Sequence, residues 1–106
     1  MSEAIEELLS ELKIRLPGLY DTRLKEIYLF GSYARNEADE ESDVDVLIVL
    51  DRVDDYSMEI ARTSEVISEL SLQYSVSLSR VFASERQWQE DQTLFFLNVR
   101  SEAISA

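Results

Sequence analysis

The chain's fold is decided by Leu29-Phe30-Gly31-Ser32-Tyr33-Ala34-Arg35, which resumes after an acidic loop as Asp43-Val44-Asp45-Val46-Leu47-Ile48-Val49-Leu50. Glu26 to Phe30 is a short apolar, β-prone run that stops at Gly31-Ser32. Ser32 to Arg35 has the length of one helical turn. Asn36 follows it, and Asn tolerates the left-handed conformation that often closes such a turn. Asp43 to Leu50 reads as a second strand. Side chains alternate along a strand, which puts Asp43 and Asp45 on one face and Val44, Val46 and Ile48 on the other.

Two carboxylates one strand repeat apart stand roughly 7 Å from each other along the backbone, and their oxygens can converge on a cation. Hard oxygen ligands without His or Cys suit Mg2+ or Mn2+. Mg2+ is typically completed by substrate phosphates, so Asp43 and Asp45 imply a phosphate-bearing substrate. The Gly31-Ser32 turn supplies the complement. A strand ending in Gly and entering a helical turn gathers backbone N–H groups into an anion site. Gly31 has no Cβ to hold a phosphate away, and the Ser32 hydroxyl adds a donor. If the two strands are neighbours, a nucleoside triphosphate fits. Asp43 and Asp45 then bind metal and Gly31 and Ser32 bind phosphate, while Arg35 either contacts phosphate or pairs with the acidic loop Glu37 to Glu41. The chemistry is attack on phosphorus.

Outward from this core, residues 2 to 16 form an amphipathic helix pattern with Ile5, Leu8, Leu9, Leu12 and Leu16 on one stripe, Ser2 as cap and Pro17-Gly18 as stop. Met58 to Tyr74 reads as a second helix and Ser75 to Phe82 as a third strand. A last helical region starts near Ser84 and carries Trp88 and Leu94-Phe95-Phe96-Leu97, aromatics that belong in a core or interface. The expected fold is α+β, with α/β-like features: one domain over residues 1–106, with a small mixed β-sheet flanked by helices.

Composition narrows the function. The 106 residues contain no Cys and no His, which removes disulfides, thiol nucleophiles and every Ser-His-Asp arrangement. Acids outnumber bases 22 to 10, a formal net charge of -12, so the chain repels phosphate and is expected to bind neither nucleic acid nor an anionic membrane. A basic protein or a cation suits it better. With no spanning apolar run and no basic signal-like start, the expected location is the cytoplasm.

Gly-Ser, ten residues, then Asp-x-Asp resembles the signature of the minimal nucleotidyltransferases (MNT) of the DNA polymerase beta superfamily. The tail Asn98-Val99-Arg100-Ser101-Glu102-Ala103 is similar to that family's Asn-Val-Arg-Arg-Glu-Gly, departing at Ser101 and Ala103. The resemblance implies the nucleotidyltransferase fold, phosphate binding by the Gly-Ser pair and metal binding by the two acids. It also implies a third carboxylate on a later strand, where this chain has Ser77 or Ser79; Glu85 or an acid from a partner is the substitute to look for. Short members resembling this chain are antitoxins paired with a HEPN-type toxin, an RNase class, in a hetero-oligomer. The implied reaction is transfer of AMP from ATP, with Mg2+, to a tyrosine of that toxin. The alternative is an MNT-fold antitoxin that neutralises by binding alone.

Overall fold

A computed structural model describes residues 2–106. Helix α1 (Glu3–Arg15) is capped as its sequence suggests: Ser2 Oγ accepts from the Ile5 N–H at 3.3 Å. Glu3 and Glu6 sit in the first turn and Lys13 and Arg15 in the last, each opposite to the local end of the dipole. α1 ends just before Pro17 as expected, but the chain stays helical beyond it. Leu16 stays right-handed helical and Pro17 opens a second short helix, α2 (Pro17–Tyr20), at the position where its missing N–H costs no bond. A tight turn, Asp21–Arg23, leads into the sheet.

Among the described residues four strands, β1 (Leu24–Phe30), β2 (Val44–Leu50), β3 (Leu78–Ser84) and β4 (Ile104–Ser105), lie in the order β3-β2-β1-β4. β1 runs antiparallel to β2 and β4, while β2 and β3 are parallel. The parallel pair needs a crossover, supplied by α3 (Tyr56–Tyr74). α3 starts before the expected Met58 because Asp55 caps it, accepting from the Met58 N–H at 3.3 Å. It ends at Ser75, which is left-handed (φ 52°), so β3 begins only at Leu78. The last helical region is two helices, α4 (Glu85–Glu90) and α5 (Leu94–Glu102), separated where Asp91 turns extended.

The sheet divides two apolar layers. Leu29, Val44, Val46, Ile48 and Leu50 pack with Leu8 and Leu12 of α1 and Ile67 and Leu70 of α3. On the other face Leu47, Val49 and Ala83 meet Phe96 and Val99 of α5. β2 is therefore buried on both faces, which explains its nearly unbroken apolar run. Asp45 is the one polar residue in that strand. Of the aromatics in α4 and α5 only Phe96 is core: Trp88 is half-buried and stacks on Tyr28 with ring centroids 4.4 Å apart, and Phe95 meets Phe30 edge-on but stays exposed.

One carboxylate is buried far from that position. Glu59 of α3 is 4 % exposed. It accepts from the Tyr20 hydroxyl (2.9 Å), Arg62 (3.1 Å) and Arg23 (3.4 Å), which ties α3 to the α2–β1 connection. Burial pushes its carboxyl up, but these hydrogen bonds and positive charges outweigh burial and hold it below the ordinary value. A lowered folded value means that Glu59 adds stability above the unfolded pKa and loses it as pH falls through the folded one. Glu59→Ala is expected to cost about 1–3 kcal/mol in urea unfolding at pH 7, since it takes the acceptor from the buried Tyr20 hydroxyl and from Arg62, while Arg23 keeps Asp51. The gap from wild type should shrink in acid below the folded value. A gap independent of pH would show that the cost is packing alone.

Candidate active site

The β1–β2 ladder ends at the pair Phe30 and Asp45. The next residue, Gly31, therefore turns away beside the Asp45 carboxylate. Its φ is +78°, open to Gly alone at little cost, and a Cβ there would collide with Asp45 Oδ2. Ser32 to Arg35 make the expected helical turn, closed by Arg35 N–H to Gly31 O (3.1 Å) and Glu37 N–H to Ser32 O (2.9 Å). Asn36 is left-handed (φ 60°), as its position after the turn suggests. Bonds donated from Arg35 onward leave the Ser32, Tyr33 and Ala34 N–H groups without an acceptor inside the turn.

Asp43 lies just outside β2, which starts at Val44, and is exposed; Asp45 is half-buried. Burial pushes the Asp45 carboxyl up, with Asp43 and Glu102 adding to it and Arg35 opposing. The field at Asp45 is thus short of positive charge. An all-oxygen pair in such a field fits Mg2+ or Mn2+, with phosphate and water completing the shell.

The parallel register pairs Asp45 with Ser79. Ser79, rather than Ser77, is therefore the position on β3 from which a third acid would stand beside Asp45, one strand spacing of about 4.8 Å away. A serine is there, and it is exposed. Among the described residues no group of three or more His, Cys, Asp or Glu is arranged to hold a metal. Glu85 cannot substitute. It follows Ser84, which pairs with Leu50 at the far end of β2, roughly 17 Å along the strand from Asp45.

Glu102 lies in the family-like tail, and nothing local in the sequence gives it a role. Its Oε2 accepts from the Gly31 N–H at 2.5 Å, and both oxygens accept from Arg35 Nη1 at 3.1–3.2 Å. Arg35 Nε donates to Glu37 at 3.0 Å. Of the two roles open to Arg35, pairing with the acidic loop is present, and Glu102 joins it.

Three variants probe this geometry. Gly31→Ala is expected to cost about 1–3 kcal/mol in urea unfolding, from strained backbone and the collision with Asp45. Gly18→Ala has open space around its Cβ and should stay within about 0.5 kcal/mol of wild type. Asp45→Asn should raise Tm at pH 7 without divalent metal. A carboxyl whose folded pKa is raised above its ordinary 3.8 opposes folding once pH exceeds that value, and the opposition vanishes below it. Calorimetry at pH 7 and near pH 3 checks the sign; no gain in Tm at pH 7 would contradict it.

The comparisons with known proteins agree with the geometry. The model of the nucleotidyltransferase domain matches residues 5–98. The putative protein adenylyltransferase MJ0604 of Methanocaldococcus jannaschii is 40% identical over 83 residues, 78% of this chain and 73% of that protein. Among solved structures, a toxin–antitoxin with AMP-PNP superposes with a TM-score of 0.61 at 20% identity, covering 96% of this chain and 68% of the other. A complex of tri-AMPylated Shewanella oneidensis HEPN toxin with MNT antitoxin gives 0.62 at 17% identity, covering 94% and 69%. At these identities the solved structures speak for the fold. The order of the elements, the turn beside Asp45 and the family match agree: the chain belongs to the nucleotidyltransferase family.

Proposed function

We propose that this chain transfers AMP from ATP, with Mg2+, to a tyrosine of a HEPN-type toxin, and that the two form a cytoplasmic antitoxin–toxin pair. The observation that carries the reading is the Phe30–Asp45 pairing, which brings the Gly31–Arg35 turn against the Asp-x-Asp acids. The free N–H groups of Ser32, Tyr33 and Ala34 and the Ser32 hydroxyl bind phosphate, and Arg35 adds positive charge beside them. Asp43 and Asp45 hold the metal, which when bound neutralises charge on the reacting phosphate and the departing pyrophosphate. The hydroxyl oxygen of the acceptor tyrosine forms the new bond to the α-phosphorus as the bond to pyrophosphate breaks, and its proton leaves to solvent. The relative named as a protein adenylyltransferase and the toxin–antitoxin neighbours support a protein as the acceptor. The net charge of -12 favours a partner with a basic surface over nucleic acid.

Ser79 favours a second reading, neutralisation by binding alone, because the strand position beside Asp45 carries no acid. Radiolabelled ATP and a co-expressed HEPN-type toxin separate the two. The catalytic reading predicts label on the toxin with wild type, a loss of at least about 100-fold with Asp43→Asn/Asp45→Asn, and failure of that variant to relieve toxicity in cells. Full relief by the variant with no label from either protein would establish binding alone.

A further inference from the structure

We infer that Glu102 is a positioning residue for the phosphate-binding turn. Its carboxylate clamps the Gly31 N–H and the Arg35 guanidinium together, so the C-terminal segment sets the shape and charge of the nucleotide site. The inference rests on the proposed reading that this turn binds nucleotide.

Three observations carry it. The Glu102 side chain is 19% exposed, although it ends a surface helix and Ser101 beside it is open to solvent. It spends its burial on two donors of the turn, Gly31 N–H at 2.5 Å and Arg35 Nη1 at 3.1 Å. Its own backbone is held on both sides. Upstream, Arg100 donates to the Trp88 carbonyl at 2.8 Å and to the Asp91 carbonyl, which locks α5 to α4. Downstream, Ile104 and Ser105 pair with Leu29 and Tyr28, and the Ala106 N–H bonds to Ile27 O at 2.9 Å. A carboxylate fixed this firmly can impose a position on a turn.

The chemistry of the clamp follows from its geometry. Gly31 lies past the end of the β1–β2 ladder, so its N–H needs an acceptor from elsewhere, and a charged one makes the stronger bond. Arg35 is held through Nε by Glu37 and through Nη1 by Glu102. Among the described residues Nη2 has no partner, which leaves it for an incoming anion. Two anchors on one guanidinium remove rotamer freedom that phosphate binding would otherwise have to remove. Glu102 acts through Gly31 and Arg35 and needs no contact with the nucleotide.

The test compares wild type, Glu102→Ala, Glu102→Gln, Arg35→Ala and the Glu102→Ala/Arg35→Ala pair. ATP binding in Mg2+ is measured by calorimetry, hydrogen exchange is followed at the Gly31 amide, and Tm is recorded for each protein. Glu102→Ala should weaken ATP binding about tenfold, equivalent to about 1.4 kcal/mol, and speed Gly31 exchange by at least about tenfold. The double variant should lose less than the sum of the two single losses, since both act through one guanidinium. Glu102→Gln keeps an acceptor of nearly the same shape and should lose only about two- to threefold in affinity. Unchanged or tighter ATP binding by Glu102→Ala, or unchanged Gly31 exchange, overturns the inference. If Glu102→Ala does not fold, Glu102→Gln decides: wild-type exchange and affinity together overturn it. If wild type binds no ATP, the nucleotide reading fails and Gly31 exchange alone decides whether the clamp exists.

Discussion

The pairing of β1 with β2 in one register is the constraint on which the rest depends. Phe30 opposite Asp45 puts the end of one strand against the start of the other. Slipping it by one residue would turn Val46 and Ile48 out of the α1–α3 layer and Leu47 and Val49 out of the α5 layer. The apolar demand on both faces of β2 therefore fixes where Asp45 stands. The site inherits its geometry from the core, and Gly31 is required because the carboxylate so placed occupies the room a side chain would need.

That placement has an electrostatic cost. Asp45 is half-buried between Asp43 and Glu102, with Arg35 as the opposing charge, and its carboxyl is pushed up in consequence. Glu59, at the other end of the molecule, shows the opposite solution: a more deeply buried carboxylate with three donors and a lowered pKa. The fold satisfies the acid it uses as a strut and leaves under-satisfied the acid that faces the turn. An under-satisfied carboxylate beside unpaired backbone N–H groups suits a site that receives a cation and a phosphate together.

Much of this was legible in the residues. The turn from Ser32 to Asn36 was readable because Gly and Asn mark its two ends, and α1 because Ser2 and five apolar positions agree. Pro17 marked the end of α1 but hid α2, since the same residue that stops one helix can start the next. The start of α3 and the late start of β3 were set by Asp55 and Ser75, single capping residues whose role depends on backbone geometry. Glu102 was hidden for a different reason. Its partners, Gly31 and Arg35, lie about seventy positions earlier in the chain, and no local periodicity reports a contact at that range. The register also separated Ser79 from Ser77, a choice that alternation alone left open.

The central claim is that the strand register builds one site from the Gly31–Arg35 turn and the Asp43–Asp45 acids. Amide chemical-shift mapping during a titration with ATP and Mg2+ tests it most directly. The largest changes should cluster at residues 31–35 and 43–45 and should require the metal. Changes centred elsewhere on the molecule, or none at these two segments at saturating ATP, would contradict it.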